Sequence, residues 1–173
     1  MTLRVLIGGA RAGKSRLATD LATRWTGPVA YVATAEERDD EMSARIERHR
    51  AERPGGWRTI EEPIRLRSAL ETLDDDEAAV VDCLTLWVAN LLEHGEAAAA
   101  IVADAERTAV GAAARAAPVI VVTNEVGLGI VPVNELARSY RDLLGEVNRV
   151  FVAHAQDAVL VVAGRALRLG AVE

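Results

Sequence analysis

Short, strongly apolar runs alternate with longer stretches in which apolar residues recur every three or four positions. The runs cover residues 3–7, 28–33, 57–60, 78–81, 119–123 and 158–163, with a weaker one at 166–169. Segments such as "VIVVT" and "AVLVVAG" are apolar almost throughout rather than alternating. That is the pattern of strands covered on both faces, as in a parallel sheet. Helical spacing predicts helices over 15–25, 39–53, 64–72, 85–94, 96–116 and 134–156. Strands interleaved with helices of this length predict an α/β fold of three layers around a mainly parallel sheet of about seven strands. The acidic "TLDDDEA" reads as a linking turn, and the alanine-rich 96–117 as a surface helix. Without repeats or a compositional break, residues 1–173 read as one domain.

The first strand leads straight into "IGGARAGKSR". Gly8-Gly9-Ala10-Arg11-Ala12-Gly13-Lys14-Ser15 matches G-x-x-x-x-G-K-[ST], between a strand and a helix as the motif requires. Glycines let the backbone curl so that its N–H groups converge on a polyphosphate. The helix start adds the positive end of its dipole. Lys14 is then expected to reach the β- and γ-phosphates and Ser15 to hold Mg²⁺. The fold expected is therefore of the P-loop NTPase type, and a nucleoside triphosphate is the expected ligand.

Composition narrows the partners. The net charge is −6, which argues against a nucleic-acid partner. No apolar run has the length of a membrane span, so no integral membrane segment is expected. The single cysteine, Cys83, excludes an internal disulfide and fits a cytoplasmic location.

A P-loop site needs a carboxylate at the end of another strand to complete the Mg²⁺ shell. Asp82 closes the apolar run in "AAVVDCLTLW". It serves either as a metal ligand beside Ser15 or as a plain cap of the following helix. Glu125, in "VVTNEVG", competes for the metal role. The predicted helix over 39–53 ends at Pro54-Gly55-Gly56, with Met42, Ile46 and His49 on one face. Arg45 and Arg53 flank His49 at four residues on either side, and Arg50 adjoins it. Clustered guanidiniums favour a neutral imidazole and match phosphate geometry, which suits a histidine attacking phosphorus. The competing reading is a half-buried histidine on a basic, solvated face. His94, before Gly95, reads as a helix C-cap, and His154 as packed with Val150 and Phe151. Cys83 reads as core.

The blocks "GGARAGKS", "YVATAEERDDEMSARIERHR", "RPGGWRTIEEP", "DCLTLWVANLL", "VVTNEVGLGIVPVNELARSYRDLLGEVNR" and "VVAGRALRLG" together span most of the chain. They resemble the bifunctional cobinamide kinase/cobinamide-phosphate guanylyltransferase family of cobalamin biosynthesis. The resemblance implies two reactions. The aminopropanol hydroxyl of adenosylcobinamide is phosphorylated with ATP or GTP. GMP then passes from GTP through a covalent GMP–histidine to give adenosylcobinamide-GDP. His49 in "RIERHR" matches the guanylylated histidine. The implied nucleotide contacts fall on Gly8, Gly9, Ala10, Arg11, Ala12, Gly13, Lys14, Ser15, Ala33, Thr34, Ala35, Arg50, Ala51, Glu52, Arg53, Glu61 and Asp82. The implied assembly is a homotrimer with sites near subunit boundaries. Ala12 stands where the family often carries serine.

Three other readings use part of these signals. A kinase-only enzyme needs the P-loop and Asp82 but not His49. A GTPase switch normally carries N-K-x-D, where this chain has only "TNEV". A non-catalytic nucleotide-binding subunit needs the loop alone.

Overall fold

The computed structural model describes residues 2–51 and 53–170, without the side chains at 41 and 45. Strands β1 (Leu3–Gly8), β2 (Val29–Ala33), β3 (Arg58–Glu61), β4 (Ala78–Asp82), β5 (Val119–Asn124), β6 (Asp157–Val162) and β7 (Arg165–Leu169) form one sheet in the order β3-β2-β4-β5-β1-β6-β7. Every pairing is parallel except β6 with β7. The apolar runs occupy the middle of the sheet, whereas β7, at one edge, is exposed along its length and alternates Arg165, Leu167 and Leu169 with smaller and charged residues.

Side chains alternate between two faces with the period of a strand. Leu3, Val5 and Ile7 of β1 point into the larger core, with Val81 of β4 and Val121 of β5. The helices α3 (Leu66–Glu71), α4 (Leu84–Glu93), α5 (Ala98–Ala114) and α6 (Glu135–His154) supply the rest of that core, including the fully buried Trp87, Leu144 and Phe151. The opposite face, with Leu6, Tyr31, Val80 and Val122, packs on Ala18 and Ala22 of α1 (Lys14–Ala22). The fold is the expected α/β arrangement with helices on both sides of a mostly parallel sheet. The alanine-rich helix lies on the surface as expected, with its inner face packed on the core. Ile101, Ala105, Ala109 and Ala112 are buried because small side chains let α5 press closely on the core. Helix α2 (Asp40–Ala51) is the least embedded, with Ile46 as its buried anchor among the described side chains.

Because neighbouring strands run parallel, their carboxyl ends lie along one edge of the sheet. Gly8 pairs with Asn124 and with Val161, and Ala33 pairs with Asp82 and with Glu61. Residues far apart in sequence are thereby brought to the edge where α/β proteins bind ligands.

The first of these positions tolerates no side chain. A Cβ on Gly8 would sit 2.2 Å from the carbonyl oxygen of Val161, part of the β6 backbone. Gly8→Ala therefore forces β1 and β6 apart. It is expected to lower unfolding stability by about 1–3 kcal/mol, read as a reduced urea midpoint. A midpoint within error of the parent would show that the two strands do not meet this closely.

Candidate active site

The loop between β1 and α1 is shaped by two left-handed residues, Arg11 (φ 56) and Gly13 (φ 98). Gly13 also starts α1, accepting from Leu17 N at 3.0 Å. Lys14 is buried, and its Nζ donates to the carbonyls of Gly8 at 2.9 Å and Gly9 at 2.6 Å. Ala12 is buried against the α1 face of the sheet, and its carbonyl accepts from Gly164 N at 2.9 Å. Gly9, Ala10 and Arg11 form the exposed crest of the loop.

Asp82 ends β4, two strands from β1. Its side chain is 11% exposed and is the meeting point of three others. Tyr31 Oη donates to Oδ2 at 2.5 Å. His49 Nδ1 lies 3.5 Å from the same oxygen, and Ser15 lies near enough to help hold the carboxylate's pKa down. Burial is the largest single influence and works to raise the pKa of Asp82. The contacts from His49 and Tyr31, with a smaller influence from Ser15, together outweigh it, so the pKa lies below its ordinary value of 3.8. Burial, reinforced by the Asp82 charge, pushes the Tyr31 hydroxyl far above its usual range and keeps it a donor.

Of the arginines the spacing places near His49, Arg53 shares its cavity, whereas Arg50 is drawn elsewhere. Arg50 turns away from His49 to pair with Glu61, with Glu37 3.6 Å from its other amino group. Arg53 lies over the Tyr31 ring, 3.8 Å from the centroid, and donates to Thr59 at 3.1 Å. Its buried Nε has no hydrogen-bond partner among the described residues. The side chain of Arg45, and Glu52 altogether, fall outside the described residues. Four-residue spacing places side chains along one helix face, but each guanidinium reaches for the nearest carboxylate or ring. Acidic neighbours brought in by β3 were invisible in the local sequence.

Ser15, Arg16, Thr19 and Asp20 of α1, with Tyr31, His49 and Arg53, line a cavity of about 400 Å³. His49 thus faces the helix that begins at the glycine-rich loop. A second cavity of about 580 Å³ opens on the far side of Arg53, where Ala33, Ala35, Arg50 and Glu61 meet. Thr34, fully buried, ties the end of β2 to the start of α4. Its Oγ1 donates to Cys83 O and accepts from Cys83 N, each at 2.8 Å. Ala51 is exposed on the last turn of α2.

Glu125 follows β5 close to the loop, its N donating to Gly8 O at 3.2 Å, but its carboxylate accepts from Gly127 N. His94 caps α4, its Nδ1 2.9 Å from Asn90 O, as its position suggests. His154 is not simply packed: its Nε2 lies 2.6 Å from a carboxylate oxygen of Glu106, with the ring half-buried. Cys83 is core, as expected.

Two residues were missed from the sequence. Tyr31 reads as strand filling, yet a tyrosine inside an all-apolar strand needs a partner for its hydroxyl. Asn90, in the apolar "LTLWVANLL", is a similar signal. Its Nδ2 donates to Thr34 O at 2.8 Å and Pro63 O at 3.1 Å, and its Oδ1 accepts from Arg38 at 2.7 Å.

A strand, a glycine-rich loop closed on a buried lysine, and a second strand ending in a carboxylate define a P-loop nucleotide-binding protein. The fold agrees with solved structures of that class. It is similar to a RadB recombinase (TM-score 0.53, 19% identity, covering 92% of this chain and 73% of that one). It is also similar to an ATPase from the type III secretion system of pathogenic bacteria (TM-score 0.58, 12% identity, covering 92% and 50%). Residues 4–169 match the family described as cobinamide kinase / cobinamide phosphate guanyltransferase, and the chain belongs to that family. It is 42% identical over 163 residues to the bifunctional adenosylcobalamin biosynthesis protein CobP of Pseudomonas aeruginosa, covering 92% of each chain. It is 39% identical over 178 residues to CobU of Escherichia coli, covering 95% of this chain and 98% of that protein. This is accordingly a kinase and guanylyltransferase of cobalamin biosynthesis.

The carboxylate at the centre of the site has a testable signature. A folded-state pKa below the unfolded one adds stability above the unfolded value, about 3.9, and that stability is lost as pH falls through the folded value. Urea unfolding of the parent and of Asp82→Asn between pH 5 and pH 3 is expected to show the stability difference, parent minus variant, falling as pH drops below about 4. A difference that stays constant over that range would mean that Asp82 is not held ionised by its neighbours.

Proposed function

We propose that residues 1–173 form one catalytic domain that phosphorylates the aminopropanol hydroxyl of adenosylcobinamide with ATP or GTP, then guanylylates the product through His49. The observation that carries this reading is the shared cavity. Ser15, from the first turn after the glycine-rich loop, and His49, from α2, line the same space. A triphosphate held by the loop can therefore present phosphorus to a histidine on the opposite wall.

In the kinase step the backbone N–H groups of Gly9 to Gly13 and the Lys14 ammonium hold the transferring phosphates. Lys14 stabilises charge that grows in the transition state. In the guanylyl step the imidazole of His49 attacks the α-phosphorus and pyrophosphate leaves. Arg53 supports this role, because it lines the same cavity as Ser15 and His49 and its guanidinium matches phosphate geometry. Ala33, Thr34, Ala35, Arg50, Ala51, Glu52, Glu61 and Asp82 complete the proposed nucleotide contacts.

Ser15 and Asp82 fit a hard cation such as Mg²⁺. They offer oxygen, and the Asp82 carboxylate is held in its charged form. Among the described residues no group of three or more His, Cys, Asp or Glu side chains is arranged to hold a metal, so the remaining ligands would be phosphate and water. Bound there, Mg²⁺ would neutralise phosphate charge. No helix among the described residues is long and apolar enough to cross a membrane, and the buried thiol of Cys83 suits a reducing compartment. The thiol supports a cytoplasmic enzyme.

One crossed experiment tests the division of labour. Lys14→Ala is expected to slow the kinase step by on the order of 10²-fold or more. His49→Ala is expected to retain kinase activity and to lose both acid-labile labelling by α-labelled GTP and formation of adenosylcobinamide-GDP. His94→Ala and His154→Ala should still accept the label. Label found on another residue, or retained in His49→Ala, would sink the assignment.

The same reading includes a homotrimer. Its support is an apolar run left in solvent: Leu128 is 86%, Ile130 98% and Val133 98% exposed, beside Leu136 at the start of α6. Contiguous exposure of that kind marks an interaction surface. Light scattering is expected to give three times the 18.5 kDa chain mass, and Ile130→Asp combined with Val133→Asp to give a smaller species. A monomeric parent protein refutes the trimer.

A further inference from the structure

The shared carboxylate has a consequence for which atom of His49 reacts. An imidazole has two nitrogens, and the hydrogen bond made by one decides the role of the other. Here Nδ1 faces Asp82 Oδ2 at 3.5 Å, the outer limit of a hydrogen bond. Such contacts are often long before substrate binds and tighten in the reacting complex. The carboxylate is not free to swing away. Tyr31 Oη donates to the same oxygen at 2.5 Å, and Ser15 of α1 lies beside the carboxylate. Tyr31 is in turn fixed, 3% exposed in a central strand with Arg53 stacked on its ring. A carboxylate accepts hydrogen bonds and donates none. It therefore selects the tautomer that carries its proton on Nδ1.

We propose that Asp82 holds His49 as the Nδ1–H tautomer, that the attacking atom is Nε2, and that Tyr31 is the positioning residue that keeps Asp82 in place. The proposal rests on His49 being the nucleophile. In the step, the Nε2 lone pair forms a bond to the α-phosphorus of GTP. The bond from that phosphorus to the bridging oxygen breaks, and pyrophosphate leaves with the electron pair. The ring becomes an imidazolium whose Nδ1–H faces the Asp82 carboxylate, which stabilises it as the charge appears. Transfer to the phosphate of cobinamide phosphate reverses the polarity. A phosphate oxygen attacks phosphorus, the Nε2–P bond breaks, and the neutral Nδ1–H ring returns. Asp82 is thus used in both half-reactions without changing its own proton count.

The test reads the position of the GMP. Protein labelled with nitrogen-15 histidine is treated with GTP and Mg²⁺, the modified residue is located by mass spectrometry, and phosphorus–nitrogen coupling identifies the bonded nitrogen. GMP on Nε2 of His49 is the expected result. GMP on Nδ1 of His49 overturns this inference and leaves the nucleophile assignment standing, whereas GMP on any other residue overturns both. Nitrogen-15 spectra of the untreated protein at pH 8 supply a readout independent of turnover. The parent is expected to show Nδ1–H at His49. In Asp82→Asn the carboxamide can donate to Nδ1, so the population is expected to move to Nε2–H and guanylylation to slow by on the order of 10²-fold or more. Asp82→Glu, which keeps a carboxylate, should recover the Nδ1–H signal. Tyr31→Phe keeps the ring under Arg53 and removes one hydrogen bond, with an expected loss of roughly tenfold. An unchanged tautomer in Asp82→Asn overturns the role of Asp82. The nitrogen assignment in the parent protein stands as a test even if a variant does not fold.

Discussion

Parallel pairing is the constraint on which the rest of this molecule depends. A parallel ladder fixes the relative advance of each strand, so the places where strands stop are not independent. Gly8 is level with Asn124 and Val161, Asp82 with Val122 and Ala33, and Ala33 with Glu61. The ends of β1, β4, β2 and β3 therefore form one rim, which carries the glycine-rich loop, Asp82 and Glu61. The absence of a side chain at Gly8 is part of the same constraint, since it lets β6 come close enough for the loop to close against Gly164.

The two faces of the sheet have different tasks. The face under α3 to α6 holds the large cluster around Trp87, Leu144 and Phe151 and gives the sheet its rigidity. The other face is thinner, covered by α1 through Ala18 and Ala22, and it is the one that opens at the rim. Tyr31 belongs to that thinner face. Its ring fills core and its hydroxyl emerges where Asp82 ends β4, so a single side chain couples packing to the polar site. On the same rim, Asn90 joins the carbonyls of Thr34 and Pro63 to the Arg38 side chain, tying the exits of β2 and β3 to α4.

The layers, the strand and helix positions and the glycine-rich loop were legible in the sequence because each rests on local periodicity or a contiguous motif. Asp82 was legible as a strand-end carboxylate. What it touches was not, because Tyr31, His49 and Ser15 arrive from three separate segments. The arginines illustrate the same limit in reverse. Spacing on α2 predicts which residues share a face, but Arg50 is claimed by Glu61 of β3 and Arg53 by the ring of Tyr31. Strand order, which decides these partners, has no local signature. The alanine-rich α5 is legible as a surface helix, but not which face it buries, because small residues look neutral in a pattern although their smallness is what allows close packing.

Lys14 leads to a different kind of conclusion. Its ammonium is already coordinated by the Gly8 and Gly9 carbonyls and removed from bulk water. A phosphate entering the loop does not recruit a free, fully hydrated cation. On the proposed role of the loop, it competes with carbonyl oxygens for a charge that folding has already largely withdrawn from water. Recognition at this position is then an exchange of ligands, neutral carbonyls for anionic oxygens. On that reading, selectivity for highly charged phosphates would come from the difference between the two sets rather than from the strength of either.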